Sequence, residues 1–316
     1  MTKEYAYFPG CSLGSTGTAY TTSIRYLAPR LGLELTEIDD WNCCGTSAAR
    51  ATSDELMYAL PARSLALSEQ QMPGRDVVAP CTGCYAALKQ AAAYARESEK
   101  HRAQVSDLIE MDYHAEADVK SMLEVLVEPD MIAAAAEAAS VSLGGMKIAC
   151  YYGCAQVRPV GLTQFDSPEN PTKLEELMDA LGASCIDWSF KTECCGASNH
   201  IVEPKGARRA TERILRNAQA NGAECIVTSC PLCWMNLDMR QGQINQEYGT
   251  SYNFPVFYFT ELMALALGAS PEEAGFKYHF GPTSEYTASK LAPKDAPAEA
   301  AADAAPEQTA SVKEVG

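Results

Sequence analysis

The sequence predicts an α/β fold with two pseudo-symmetric domains, each containing a mostly parallel sheet flanked by helices. The first observation is an internal repeat: LGLELTEIDDWNCCGTSAA, from Leu31, matches LGASCIDWSFKTECCGASNH, from Leu181. Matching blocks also precede and follow this stretch in the same order. The second observation is that short apolar runs alternate with longer helical patterns in each copy, which indicates crossover units and parallel strands.

The predicted strands lead directly into cysteine-containing loops. They are residues 5–8, 34–38 and 76–79 in the first copy, and residues 147–151, 184–186 and 224–228 in the second. The clearest helical patterns between them are residues 54–71 and residues 204–221, the latter beginning with Pro204 at a position suited to a helix start.

These patterns divide the chain into four parts. Residues 1–94 form the first Cys-Cys-Gly domain and residues 146–281 the second. Residues 95–145, rich in Ala, Glu, Met and Leu, are expected to be a helical insert or bridge. Residues 282–316 are rich in Ala, Pro and Glu with almost no large apolar side chain, so we expect a disordered tail.

Composition excludes several classes of protein. A net charge of -16 with only 25 Lys and Arg argues against a nucleic-acid partner. No apolar stretch reaches the roughly 18 residues that a spanning helix needs, and no signal peptide is evident, so we expect a cytoplasmic protein without a membrane span. Thirteen cysteines, an odd number with two adjacent pairs, do not suit a disulfide framework in that compartment.

Ten cysteines fall into two matching sets of five, and each set lies where predicted strands end. In the first copy, 31 residues separate the leading cysteine from the Cys-Cys pair; in the second copy, 39 do so. Five thiolates exceed what a tetrahedral zinc ion needs, so they favour an iron–sulfur cluster of unusual shape. The candidate ligands are Cys11, Cys43, Cys44, Cys81 and Cys84, and Cys154, Cys194, Cys195, Cys230 and Cys233.

The repeated C-x31-CC-G and C-x2-C pattern occurs with the motifs AYFPGCSL, DWNCCG, DVVAPCTGCY, SMLEVLVE, YYGCAQVRP and PVFYFTELMALALG. Together they resemble the B-type subunit of heterodisulfide reductase, in the twin Cys-Cys-Gly family, over residues 5–280. The resemblance implies two non-cubane [4Fe-4S] clusters, one for each set of five cysteines. It also implies a catalytic subunit that reduces, or reversibly forms, a disulfide such as CoM-S-S-CoB clamped between the clusters.

The same resemblance implies partners. Electrons would come from a ferredoxin-like iron–sulfur subunit resembling the C-type component of heterodisulfide reductase, itself supplied by a flavin subunit resembling the A-type component. The chain has neither a G-x-G-x-x-G motif after a strand nor a ferredoxin motif, so it requires an electron-delivering partner.

Other residues are weighed individually. Arg158, Lys191 and His200 lie near the second cysteine set and are candidate contacts for an anionic disulfide or a proton, although surface or loop roles are equally consistent with the sequence. The remaining residues are expected to have no role in the chemistry: the strand cysteines as inert buried thiols, the tryptophans as core, and the histidines and acidic residues as solvated surface. These are Cys150, Cys185 and Cys225; Trp41, Trp188 and Trp234; and His101, His114 and His279.

Two alternatives remain open. The chain could be an electron-transfer subunit of a quinone-linked dehydrogenase or fumarate reductase, which an amphipathic basic helix would support; no such helix is evident in the sequence. It could also be a non-catalytic scaffold in which the cysteines bind zinc.

Overall fold

The computed structural model describes residues 2–293 of the chain. Two four-stranded parallel sheets, each flanked by helices, confirm the predicted fold class. Of the expected C-terminal tail, residues 294–316 lie outside the described range.

The first sheet has the order β2-β1-β3-β4, and all of its strand pairs are parallel. Its strands are β1 (Lys3–Tyr7), β2 (Leu33–Glu37), β3 (Val77–Ala79) and β4 (Val119–Ser121). The helices of this half are α1 (Gly10–Leu13), α2 (Thr18–Arg30), α3 (Thr46–Thr52), α4 (Asp54–Gln71), α5 (Thr82–Glu97), α6 (Glu99–Ile109), α7 (Met122–Leu126) and α8 (Pro129–Ala138).

The second sheet repeats this topology with the order β7-β6-β8-β9, again all parallel, and a separate antiparallel pair joins β10 to β5. Its strands and the separate pair are β5 (Val141–Ser142), β6 (Lys147–Tyr151), β7 (Ser184–Cys185), β8 (Cys225–Thr228), β9 (Val256–Tyr258) and β10 (Ala292–Pro293). The helices are α9 (Val160–Thr163), α10 (Lys173–Ala180), α11 (Pro204–Ala220), α12 (Pro231–Leu237), α13 (Gln241–Tyr248), α14 (Phe259–Ala266), α15 (Pro271–Ala274) and α16 (Thr283–Lys290), with 3-10 turns at Ala197–Asn199 and Phe276–Tyr278.

The strand order explains where a site can form. Strands β3 and β8 are buried along their whole length, as expected for parallel strands covered on both faces. In each sheet the second strand lies on one side of the first and the third strand lies on the other. The loops after the first and third strands therefore diverge and leave a crevice at the carboxyl edge, which is where the cysteine loops lie.

Helix α2 of the first domain packs against α14 of the second and joins the two halves. The rings of Tyr20 and Tyr258 stack with centroids 4.5 Å apart. The hydroxyl oxygens of Ser23 and Thr260 lie 2.7 Å apart in the same buried contact. These buried apolar and hydrogen-bonded contacts therefore fix the carboxyl edges of the two sheets relative to each other.

Two expected boundaries differ from the structure. The segment 95–145 is not only helical, because it also supplies β4, which completes the first sheet beside β3. A three-residue strand is too short for its periodicity to be recognised in the sequence. Helix α5 also crosses the expected boundary at residue 95.

The tail expected to be disordered from residue 282 begins with helix α16. Thr283 and Thr287 on this helix are buried. The hydroxyl of Tyr286 donates to Glu224 at 3.2 Å, and Lys290 forms an ion pair with the same carboxylate at 2.8 Å. Small and polar side chains anchor this helix, so its low content of large apolar residues wrongly predicts disorder.

Within residues 2–293, no helix combines the length and the apolar character needed to cross a bilayer.

Candidate metal centre

The first cysteine set is assembled from three loops that follow β1, β2 and β3. Cys11 and Cys43 are exposed, and their sulfur atoms lie 3.8 Å apart. Cys44 is buried with its sulfur 3.3 Å from that of Cys84. Cys84 is also hydrogen-bonded to buried Cys81. The five thiols therefore form a continuous series from the surface to the interior.

The second set repeats this arrangement after β6, β7 and β8. The exposed thiols of Cys154 and Cys194 are hydrogen-bonded to each other. Cys195 and Cys233 are buried, with sulfur atoms 3.6 Å apart, and Cys233 contacts buried Cys230. The duplicated sequence thus gives duplicated geometry, with two exposed and three buried thiols in each domain.

The two sets meet at their buried ends. The thiols of Cys81 and Cys230 lie close enough to interact across the domain boundary, and the Thr82 side chain also interacts with Cys230. We call the contact between Cys81 and Cys230 the thiol junction. The buried ends of the two sets are therefore in contact with each other, a feature that the sequence spacing did not reveal.

Glycines at corresponding positions keep the space beside these thiols open. Gly10 has a φ of +70°, and a Cβ atom there would lie 2.8 Å from the Cys84 sulfur. Gly153 has a φ of +68°, and its Cβ would lie 3.0 Å from the Cys233 sulfur. Both the backbone conformation and the close approach require glycine.

The electrostatics of the thiols favour thiolate formation at defined positions. Hydrogen bonds from Cys43 and then Cys84 lower the pKa of Cys44 to about 4. A hydrogen bond from Cys154 lowers the pKa of Cys194 to about 6. The thiolate is the form that binds metals, so each Cys-Cys pair contains a thiol prepared for ligation.

The chemistry of the donor set suits an iron–sulfur cluster, because each set consists of cysteine sulfur alone. In the described part of the chain, no three His, Cys, Asp or Glu side chains have the mutual geometry of ligands around one metal ion. The thiols are arranged as a series of pairwise contacts instead. Several all-sulfur donors beside an opened backbone suit a polynuclear cluster held by cysteine thiolates.

A cavity of about 190 Å³ lies beside the thiol junction. Its lining includes Thr46 and Gly83 from cysteine loops of the first domain and Ser198 from the second. A Cβ on Gly83 would lie 3.6 Å from the Cys81 sulfur, which places this cavity next to the junction. Arg50 also lines it; its guanidinium donates to Gln90 and to the sulfur of Met57 but makes no ion pair with a described residue. Sequence reasoning missed this cation because α3 brings it to the site.

Two of the three sequence-predicted substrate contacts are bonded to other groups of the protein. Lys191 is buried, and its ammonium lies 2.8 Å from the Glu175 carboxylate. Arg158 donates to the carbonyl of Thr192 and pairs with Glu169 at 3.0 Å. Both side chains are therefore occupied by protein groups.

His200 follows the second Cys-Cys-Gly motif, and its Nδ1 lies 2.6 Å from the carbonyl oxygen of Ala197. It is half-buried in the loop between the 3-10 turn and α11.

The strand cysteines lie outside the two sets. Burial raises the pKa of Cys150 and raises that of Cys225 to about 12, so both stay protonated. Cys185 is half-buried, with its sulfur 3.7 Å from that of Cys150.

The expected surface character is wrong for His279 and for the acidic residues Glu261 and Asp238 beside it. The side chain of His279 is fully buried, with Nε2 2.7 Å from Glu261 and Nδ1 4.0 Å from Asp238. Trp234 donates to the Val256 carbonyl and lies beside His279, as expected of a core residue. Only the tertiary fold brings the segment after α15 back onto α14, so sequence spacing carried no signal for this group.

Helix α11 corrects a further expectation, because it is an amphipathic basic helix of the kind that was not evident in the sequence. Its buried face consists of small and aliphatic side chains such as Ile214 and Leu215. Its basic residues are Lys205, Arg208, Arg209, Arg213 and Arg216. Just before the helix, Ile201 and Val202 are 80% and 79% exposed.

Comparison with known proteins agrees with this geometry. A family model described as a cysteine-rich domain, CCG, matches residues 5–89 and 148–238. The chain is 34% identical to the 8-methylmenaquinol:fumarate reductase membrane anchor subunit of Wolinella succinogenes, over 88% of this chain and 97% of that protein. It is 28% identical to the B subunit of the Ferredoxin/F(420)H(2)-dependent CoB-CoM heterodisulfide reductase of Methanosarcina acetivorans, over 90% of this chain and 96% of that protein.

A solved structure of a hypothetical protein from Helicobacter pylori has a TM-score of 0.68 with this chain at 11% identity, over 88% of this chain and 52% of that one. At this identity the likeness supports the fold alone. The two matched domains and the relatives named as the B-type component of heterodisulfide reductase confirm the resemblance found in the sequence motifs.

Proposed function

The chain belongs to the cysteine-rich CCG domain family, and from this premise we propose that it is the iron–sulfur redox subunit of a multi-subunit reductase. Its reaction is the reduction, or reversible formation, of a disulfide at the thiol junction. The observation that carries this proposal is the contact between Cys81 and Cys230, which brings two sets of five thiols together.

The ten cysteines would hold two non-cubane [4Fe-4S] clusters, one in each domain. Such clusters supply single electrons and iron sites that accept sulfur. Disulfide cleavage needs two electrons, so two sites that meet at one point can each receive one sulfur of the substrate. The duplication and the junction then serve one reaction.

The protein groups at the junction position the substrate and limit access to it. The cavity beside Cys81 is small, about 190 Å³, so it favours a thin substrate arm over a bulky one. Arg50 at its lining offers a positive charge to an anionic arm in a chain that is otherwise strongly acidic. Arg50 replaces Lys191 as the preferred substrate contact in this proposal, because Lys191 is already paired with Glu175.

Electrons would reach the chain from a ferredoxin-like iron–sulfur subunit supplied by a flavin subunit, in the cytoplasm. This part of the proposal is supported by the relatives whose names describe ferredoxin-dependent heterodisulfide reductases. The exposed thiols of each set give such a partner a route to either domain.

The test is thiol release from the CoM-S-S-CoB disulfide by anaerobically purified full-length protein, with a reduced viologen dye as electron donor. We expect Cys81→Ala and Cys230→Ala each to reduce thiol release to background. Cys225→Ala is the matched control, since Cys225 is equally buried but lies outside both sets. Full activity in both junction variants would overturn the proposal.

A second candidate is electron transfer within a quinol-linked fumarate reductase. The 34% identity to a subunit of an 8-methylmenaquinol:fumarate reductase favours it, and so does the exposed basic face of α11. Reduction of the protein by a quinol, seen as bleaching of its visible absorbance, without thiol release from any disulfide would replace the first candidate with this one.

A further inference from the structure

A second, larger cavity lies on the outer flank of the first domain, between α2 and the edge strand β2. Its volume is about 680 Å³, within the range of pockets that bind drug-sized molecules. One end opens at Cys11 and Trp41, beside the exposed end of the first cysteine set. The cavity is separate in its lining from the one at the thiol junction.

The inner wall of this cavity is aliphatic. Ile24 and Ala28 contribute one face from successive turns of α2, and Leu33 and Leu35 contribute the opposite face from β2. A ligand that fills this region must therefore be hydrocarbon over much of its length.

The mouth of the cavity is polar but carries few positive charges. Arg25 is accompanied by two carboxylates, Glu34 and Glu37. The indole nitrogen of Trp41 donates to Glu37 at 3.0 Å. Two carboxylates against one guanidinium disfavour a sulfonate or phosphate, so the charge pattern favours an uncharged ligand with polar atoms at one end.

Tyr7 adds a hydrogen-bond donor to this lining. Burial raises the pKa of its hydroxyl, which therefore stays protonated. Within residues 2–293 this hydroxyl forms no hydrogen bond to another side chain or to the backbone. A carbonyl oxygen of a ligand is the group that such a donor would satisfy.

We propose that this cavity binds an isoprenoid quinone, with the ring at Cys11 and Trp41 and the tail along the aliphatic wall formed by α2 and β2. A quinone is uncharged, has carbonyl oxygens at one end and a hydrocarbon tail at the other, and is useful only near a redox centre. The inference rests on the proposal that the first thiol set holds an iron–sulfur cluster. It does not depend on which reaction takes place at the thiol junction.

The probe is a naphthoquinone that carries a geranyl tail and a methyl group on the adjacent ring carbon, so that both positions open to thiol addition are blocked. Calorimetric titration of the anaerobic full-length protein should show saturable binding at one site. The same ring with two methyl groups and no tail should bind more weakly by about tenfold or more, because the aliphatic wall is then unused. Equal affinity of the two compounds would overturn the assignment of an isoprenoid ligand.

Variants of the cavity lining test where the quinone probe binds. Leu35→Lys places an ammonium in the aliphatic wall and should weaken binding by about tenfold or more, whereas Leu35→Ile should bind like the wild type. Ala28→Phe fills the cavity without adding charge and should give the same loss as Leu35→Lys. Leu108→Lys, the same substitution at a half-exposed leucine on α6, should leave binding unchanged.

Iron content is measured on every variant, which separates the two proposals. Full iron content with no quinone binding overturns the quinone site and leaves the iron–sulfur proposal intact. Absence of iron and sulfide from the wild type overturns the proposed function. Binding that survives both Leu35→Lys and Ala28→Phe places the ligand elsewhere and contradicts the inference.

Discussion

The two domains share their cysteine geometry but differ on the flank that faces the first helical connection. In the first domain, α2 and β2 leave the cavity that opens at Cys11. In the second domain, α10 lies between β6 and β7 in the chain, as α2 lies between β1 and β2, and it carries Glu175, which is buried against Lys191 and Tyr152. Duplication has preserved the thiol sets, while the surrounding packing has diverged: one domain has a cavity beside this helix and the other has a buried ion pair on it.

A second difference concerns the glutamates after the fourth strands, half-buried Glu124 and buried Glu261. Glu124 accepts a hydrogen bond from the Tyr85 hydroxyl at 3.0 Å, whereas Glu261 is partnered by His279 at 2.7 Å. Each glutamate also caps the first turn of its helix by accepting from a backbone N–H. The glutamate at this position therefore contacts a neutral tyrosine in the first domain and a histidine that can become charged in the second.

The largest expected effects test the feature that the domains share. Gly10→Ala and Gly153→Ala should each displace a ligand sulfur and remove about four of about eight irons, each from its own domain. Gly74→Ala is the control, because Gly74 also has a positive φ but nothing lies within 4 Å of its Cβ position. It should cost only about 1–2 kcal/mol of strain and keep its iron. Full iron content in both variants would contradict the assignment of equivalent iron sites to the two domains.

The buried ion pair of the second domain predicts a large effect on stability at one of two equivalent positions. Lys191 and Asp40 each lie three residues before a Cys-Cys pair. Lys191→Met leaves the buried Glu175 without its cation and should lower the free energy of unfolding by about 3–5 kcal/mol. Asp40→Asn removes only an exposed pair with Arg63 and should cost about 0–1 kcal/mol. Urea unfolding measures both, and equal losses would contradict the difference between the flanks.

The buried cluster of His279, Glu261 and Asp238 predicts that the stability of the protein depends on pH through the second domain. Burial raises the pKa of Asp238 to about 6. Burial opposes the charge of His279, but Glu261 outweighs it and raises the pKa of His279 above 6.5. Both groups bind protons more tightly when folded, so their contribution to stability is complete below about pH 4 and is lost as pH rises through 6 and above.

The measurement is the melting temperature of the wild type and of His279→Gln from pH 5 to pH 8. We expect the wild type to lose stability over this range and the variant to show a shallower dependence. Tyr85→Phe, at the equivalent contact in the first domain, should cost about 1 kcal/mol without altering the pH dependence. A steeper slope in His279→Gln than in the wild type would contradict the sign of this effect.

Sequence reasoning recovered the parts of the molecule that depend on local pattern. The strand at Lys147–Tyr151 and the helix at Asp54–Gln71 have the predicted bounds, because apolar runs and helical spacing are local signals. The two sets of five cysteines were found from the repeat, and the structure brings each set together.

The remaining features depend on contacts between distant segments. Strand β4 is too short to have a readable period, and α16 has too few apolar residues to look ordered. The pairing of Lys191 with Glu175, the burial of His279 and the thiol junction all join residues from separate elements. No spacing in the sequence specifies which charged side chains such packing will bury.

The central claim is that the ten thiols form two iron–sulfur sites that meet at Cys81 and Cys230. Its most direct test is the content of iron, acid-labile sulfide and zinc per chain in anaerobically purified protein. The account predicts about eight irons with matching sulfide and no stoichiometric zinc. Zinc without sulfide, with no iron taken up on cluster reconstitution, would contradict the claim and leave a duplicated zinc scaffold.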